Sequence, residues 1–258
     1  MWSFPFIDPV AVTVFGWPIR WYGLMYLCGI WLGWFYVRAQ TVFFPQISQK
    51  HIDDFLPYLV AGVLIGGRLG YVCFYDPLYF YAHPLSILKV WEGGMAFHGG
   101  VLGVAFAFVL YAWRHHLPLG SLADIYLLGV PIGLFFGRLG NFINQEAYGR
   151  LTEMPWGIVY PAVDGFLRHP SQLYEATLEG VVLFAMLRFL TPALSQRPWA
   201  LTGVFLLGYG AMRFWVELYR VPDALVSLGV ITLTIGQVLS LPMIIVGAWL
   251  IWWRLKKS

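Results

Sequence analysis

The sequence predicts an all-α integral membrane protein, a polytopic bundle of about seven transmembrane helices with its N-terminus outside and its C-terminus in the cytoplasm. Of its 258 residues, 59% are hydrophobic and only 11% are charged, about half the charged share of a soluble domain. So few charges could not cover such a core in water. The 13 Trp, 15 Tyr and 20 Phe suit the aromatic belts found at headgroup level on both faces of a bilayer. The third observation is a series of apolar runs of the roughly 20 residues that a spanning helix needs, since lipid offers the backbone no hydrogen-bond partner.

In chain order these runs fall near 17–37, 54–75, 94–113, 122–143, 173–190, 200–219 and 231–253. The stretch before the first run has no basic region and no small-residue cleavage site, so that run is expected to act as the insertion signal itself. The last is the cleanest, because no charged residue interrupts 230–253. Arg38, Lys50, Arg114, Arg188, Arg197, Arg254, Lys256 and Lys257 collect at alternate ends, whereas the opposite loops hold only Lys89, Arg150, Arg168 and Arg220. The first set is expected to be cytoplasmic. Residues 1–258 read as a single membrane domain with a small outer-face loop region near 144–170. Cys28 and Cys73 lie alone in apolar runs with no metal-ligand spacing, and both read as packing residues. The formal charge of +3 concerns loops and orientation, not nucleic acid.

The informative charges lie within the apolar runs. Gly66-Gly67-Arg68-Leu69-Gly70 in the second is echoed by Gly137-Arg138-Leu139-Gly140 in the fourth, and the sixth carries Tyr209, Arg213, Glu217 and then Arg220. Arg20 stands near the outer end of the first. At ~1.5 Å rise per residue, Arg68, Arg138 and Arg213 each lie roughly 20–24 Å from the cytoplasmic end of a helix. This predicts a common depth in the outer third of the membrane. An arginine there costs from about 2.5 to above 10 kcal/mol unless something anionic meets it. Asp76, Glu146, Glu175, Glu179 and Glu217 are the candidate protein partners. A phosphate gripped through paired N–H donors is the alternative.

His98 sits among glycines at the start of the third run and has an imidazole suited to proton abstraction near neutrality. Asn141 to Arg150 places amides, Glu146, Gly149 and a guanidinium where the fourth run ends. Arg168-His169-Pro170-Ser171-Gln172-Leu173-Tyr174-Glu175 opens the fifth, where Ser171 and Glu175 also suit a helix start. No Walker loop, zinc-protease helix or serine-hydrolase elbow is present in the sequence.

Taken together, Arg20-Trp21-Tyr22-Gly23-Leu24-Met25-Tyr26, Gly66-Gly67-Arg68, Phe97-His98-Gly99-Gly100, Gly137 to Asn144, Arg168 to Glu175 and Tyr209-Gly210-Ala211-Met212-Arg213 resemble the prolipoprotein diacylglyceryl transferases of bacterial inner membranes. The resemblance covers nearly the whole chain. It departs at Gln145, where members often have Gly, and in the short outer stretch from Leu151 to Leu167, which is longer in some members.

The resemblance implies transfer of the diacylglyceryl group from phosphatidylglycerol to the lipobox cysteine of a prolipoprotein signal peptide, forming a thioether and releasing glycerol phosphate. It implies catalytic roles for His98, Arg138, Arg213, Tyr22 and Glu146. It further implies lipid contacts by Arg138, Asn141, Arg68, Gly149, Tyr209, Glu217, Arg220 and Gln172, with Glu146 or Glu217 orienting the arginines. No metal or other cofactor is expected, and the active site should face outward. An anionic-phospholipid flippase or transporter is the alternative function, and a scaffold with internally paired charges is a third reading.

Overall fold

The computed structural model describes residues 2–5, 7–229 and 231–256. Lys257 of the basic set and Val230 of the last apolar run lie outside them. In chain order the protein forms β1 (Trp2–Ser3), β2 (Val10–Val14), β3 (Trp17–Arg20), α1 (Trp21–Ala39), α2 (Gln49–Phe74), α3 (Pro77–Ala82), α4 (Phe97–Arg114), α5 (Leu119–Leu127), α6 (Val130–Ile143), β4 (Ile158–Val159) and β5 (Leu167–Arg168). There follow α7 (Ser171–Glu175), a π-helical stretch Ala176–Val182, α8 (Leu183–Leu194), α9 (Ala200–Val216), β6 (Leu225–Leu228), β7 (Ile231–Thr234) and α10 (Ile235–Lys256).

Four helical segments are long and apolar enough to cross a bilayer: Gln49–Phe74, Leu119–Ile143, Ser171–Leu194 and Ile235–Lys256, with Ala200–Val216 apolar but shorter. Ile30, Trp31, Ile65, Phe106 and Ile245 stand exposed along the helices, as side chains facing hydrocarbon do. The protein is therefore an integral, predominantly helical membrane protein.

Several expected boundaries are corrected. Trp17–Arg20 and Ile231–Thr234, read as the starts of the first and last spans, are strands, each in an antiparallel hairpin with β2 or β6. Short apolar β-branched runs are ambiguous between helix and strand by hydrophobicity alone. Arg20 accordingly sits at a strand end and is exposed. Cys28 and Cys73, expected to pack inside, are free and exposed.

The described residues cluster into two compact units, one from Arg38 to Ala123 and one combining residues up to Val37 with those from Asp124 onward. In the first, Ser48 starts α2 with a capping box closed by His51, which satisfies two of the orphan N–H groups at a helix start. Glycines then let α2 and α4 approach closely. A Cβ added at Gly66 would lie 2.7 Å from the Gly103 Cα, and one at Gly70 would lie 2.7 Å from the Gly99 Cα.

In the other unit α1 meets α6 at Gly29 and Gly33, α9 meets α10 at Gly203 and Gly210, and the π-helical stretch presses Gly180 against Phe135 of α6. The helix breaks between α5 and α6 at Leu128 and Gly129, because Pro131 has no N–H and its ring would strike the Leu127 carbonyl. A small sheet has the order β1-β4-β5.

Asp124 is a fully buried carboxylate in α5 whose Oδ1 accepts from the backbone N–H and the hydroxyl of Thr202, both at 2.6 Å. It caps the start of α9 from a distant part of the chain, where the helix dipole favours negative charge. Asp124→Ala is expected to lower unfolding stability by about 3 kcal/mol, because buried donors lose their only charged acceptor. Thermal unfolding in detergent measures this. A loss below about 0.5 kcal/mol, typical of surface changes, would contradict it.

Candidate active site

Three helical segments bring the charges together. Arg138 lies on α6, Glu175 and Glu179 on α7 and the π-helical stretch after it, and Tyr209, Arg213 and Glu217 on α9 and its C-terminal cap. Residues four apart share a helix face, so 209, 213 and 217 form one stripe and 175 and 179 another. Close packing of Gly180 on Phe135 sets Arg138, one turn further along α6, against the second stripe.

Glu175, fully buried, bridges the two arginines. Its Oε2 lies 3.2 Å from Arg138 Nε, its Oε1 pairs closely with Arg213 Nη1, and Arg220 Nη1 follows at 3.9 Å. Glu179, also fully buried, is held more loosely, 3.5 Å from Arg138 Nη2 and 3.8 Å from Arg213 Nη1. Glu217 lies 2.5 Å from Arg213 Nη2 and 3.5 Å from Arg220 Nη1. Arg220 also reaches the exposed Asp223 at 3.1 Å. Tyr209 lies within electrostatic reach of Glu179, Arg213 and Arg138. None of the described residues accepts from Arg138 Nη1, and the arginine side chains keep 12–19% of their surface open. The cluster thus satisfies much of its charge internally while presenting guanidinium edges.

One turn along α6 from Arg138, Asn141 lies within electrostatic reach of the Tyr22 hydroxyl, which is 3.1 Å from that of Tyr26. Gly140 admits the Tyr22 ring: a Cβ there would lie 3.0 Å from Tyr22 Cδ2. Glu146 accepts from the Asn141 and Asn144 amides, both at 3.4 Å. Of the two carboxylates expected to orient the arginines, the structure places only Glu217 against them. Glu146 holds the amides.

Gln145 and Ala147, on either side of Glu146, adopt φ of 56° and 54°. This explains why a glycine suits position 145, since side chains disfavour left-handed backbone by roughly 1–2 kcal/mol. Gln145 offsets part of that by accepting the Ala162 N–H through Oε1 at 3.1 Å. Gln172, expected at the lipid, is fully buried as a brace: its Nε2 donates to the Glu146 carbonyl at 2.7 Å and its Oε1 accepts from Tyr160 at 3.0 Å. Ser171 Oγ donates to the Ala147 carbonyl at 2.8 Å. Gly149 lies where two strands of chain cross: a Cβ there would meet the His169 side chain at 2.6 Å and the Tyr219 carbonyl at 2.8 Å.

Arg68 and His98 belong to the other unit. Arg68 is buried, and its five N–H donors go to the carbonyls of Ile87, Gly93, Gly94, Ser86 and Lys89, none to Asp76. It shapes the loop that leads into α4. His98 lines an apolar groove of about 1030 Å³ between α2 and α4, with Ile65, Leu69, Leu102 and Phe106. Asp124 is the functional-grade buried charge that the sequence reading missed. Its signal was a carboxylate inside an apolar run.

Outside the spans, Arg168 pairs bidentately with Asp164 and donates to the Gly149 carbonyl at 3.0 Å. The guanidinium holds the Asp164 carboxyl below its ordinary value of 3.8. Burial pushes the His169 imidazole below 6.5, and its Nδ1 meets the Tyr174 hydroxyl at 3.1 Å. For a base whose folded value is depressed, the unfolded chain takes the proton first. Stability is full above pH 6.5 and falls as pH drops below it. Trp156, hydrogen bonded to Tyr174 at 2.7 Å, should report protonation of His169 as a fluorescence change once the pH falls below the ordinary histidine value of about 6.5. The change should be absent in His169→Gln, and an identical profile in that variant would assign the step elsewhere.

Comparison with known proteins agrees with these features. A family model described as prolipoprotein diacylglyceryl transferase matches residues 9–253. The chain is 46% identical over 259 residues to the phosphatidylglycerol–prolipoprotein diacylglyceryl transferase of Sinorhizobium medicae, covering 96% of this chain and 92% of that one. It is 47% identical over 249 residues to the protein of the same name from Rhodospirillum rubrum, covering 95% and 91%. For the Rickettsia canadensis protein the identity is 46% over 252 residues, covering 96% and 97%. With a match of this extent, the chain belongs to the prolipoprotein diacylglyceryl transferase family.

Proposed function

We propose that this protein is a phosphatidylglycerol–prolipoprotein diacylglyceryl transferase that joins the diacylglyceryl group to the lipobox cysteine thiol of a signal peptide and releases glycerol phosphate. The observation that carries this is the buried cluster of Arg138, Arg213 and Arg220, whose guanidinium edges remain partly open despite their carboxylate partners. As the sulfur attacks the glyceryl carbon, the C–O bond to phosphorus breaks and the phosphate gains a second negative charge. Preorganised donors at that position stabilise the transition state more than the ground state. A thiol with pKa near 8.5 is mostly protonated at neutrality, so a base must take its proton. His98 is our candidate, with Tyr22 and Asn141 positioning the lipid and Glu146 ordering Asn141. In this reading Gln172 and Gly149 build the loops of the site rather than touch phosphate, and Arg68 orders the loop that leads into α4.

We assign the protein to the bacterial inner membrane, with about seven spans, an outside N-terminus and an outward-facing site. The test uses purified protein, phosphatidylglycerol vesicles and a lipobox peptide. A peptide mass increased by one diacylglyceryl group, dependent on Arg138, supports the enzyme. Lipid movement with no covalent product would support a flippase instead. Near-normal turnover of His98→Gln would move the base role to another group.

A further inference from the structure

Within the membrane the arginine cluster is electrically balanced before any lipid arrives. Arg138, Arg213 and Arg220 supply three positive charges and the buried Glu175, Glu179 and Glu217 supply three negative ones, while Asp223, which also meets Arg220, is open to solvent and screened by it. An anionic phospholipid that docks here brings one more negative charge into a site with little water to screen it, where uncompensated charge costs several kcal/mol. Balance is restored if one carboxylate becomes neutral.

The three are not equal candidates. Glu175 touches three arginines and Glu217 holds two, with contacts of 2.5 Å or less to Arg213. Glu179 has only the looser contacts at 3.5 Å and 3.8 Å, and its buried Oε1 has no hydrogen-bond partner. The charged and titratable groups facing it are Arg138 from α6, Glu175 from α7, and Arg213 and Tyr209 from α9. The neighbouring carboxylate opposes its ionisation, and Arg138 is the partner it loses when that guanidinium turns to a phosphate.

Resting on the phosphatidylglycerol reading above, we infer that Glu179 is a positioning residue that takes up one proton when the anionic headgroup binds, releasing Arg138 Nη2 to the phosphate. The step balances: a carboxylate, a proton from water and a lipid phosphodiester monoanion become a carboxylic acid and a phosphodiester paired with Arg138. The cluster is neutral before and after. Binding should therefore tighten as pH falls.

Dihexanoyl phosphatidylglycerol binding to the whole protein in detergent tests this by calorimetry in two buffers of different ionisation enthalpy, repeated from pH 5 to pH 9. The wild type should take up about one proton per lipid on the alkaline side of this range, with affinity falling about tenfold per pH unit there. Glu179→Gln should bind with no proton uptake and a flat profile, while Asp223→Asn, which changes an exposed carboxylate outside the buried set, should retain the slope. Wild-type binding without proton uptake overturns the inference even if the variant does not fold. So does a folded Glu179→Gln that still takes up a proton. Failure of the wild type to bind the lipid at any pH would instead remove the phosphatidylglycerol reading, and this inference with it.

Discussion

Arg138→Lys is expected to lower diacylglyceryl transfer by about 10²–10³-fold, the usual effect of removing one preorganised donor group from a transition-state site. Arg138 divides its guanidinium among Glu175 through Nε, Glu179 through Nη2 and the open side through Nη1. The planar fork allows three directions at once. A lysine ammonium is a point charge on a flexible stem and can keep a carboxylate partner or a phosphate, but not in that fixed geometry. The charge is retained, so the buried glutamates stay compensated and melting should fall by only a few degrees. Single-turnover transfer to a lipobox peptide, measured beside thermal unfolding, separates the two effects. Wild-type turnover in a folded Arg138→Lys would show that Arg138 serves the carboxylates alone.

Much of this site was legible in the sequence because charges in apolar runs have few places to go. Arg138 and Arg213 stand out as charges inside apolar runs, and Glu175, Glu179 and Glu217 are the carboxylates that the sequence offers them as partners. The fate of Arg68 was not legible. Its GRLG surroundings match those of Arg138, yet its acceptors are loop carbonyls from Ser86 to Gly94, and no local pattern announces a loop that folds back. The β2–β3 and β6–β7 hairpins were hidden for a related reason. Trp17 to Arg20 and Ile231 to Thr234 are apolar enough to join the neighbouring spans, although both include the β-branched residues that a strand favours. The resemblance implies lipid contacts by Gln172 and Gly149, and the structure places Gln172 against the Glu146 carbonyl and Gly149 in the close crossing beside His169 and Tyr219. Asp124 passed unnoticed because its partner, Thr202, lies in another helix.

Glu175→Ala should give the largest loss of stability, about 3–5 kcal/mol, because it removes the partner shared by buried arginines and leaves their charge uncompensated. Glu175 is fully buried and is the one carboxylate in contact with Arg138, Arg213 and Arg220 together. At roughly 2–4 °C per kcal/mol for a chain of this size, melting should drop by about 6–20 °C. Transfer should fall with it, since Arg138 and Arg213 would lose the group that fixes their separation. Asp223→Ala provides the contrast. It removes an ion pair to Arg220 whose carboxylate is 66% exposed, and exposed pairs contribute about 0–1 kcal/mol. Glu175→Gln should lie between the two, keeping the side-chain volume and an acceptor oxygen but not the charge. If Glu175→Ala and Asp223→Ala melted alike, water would already be screening the guanidinium groups, and a dry site prearranged for phosphate could not be maintained.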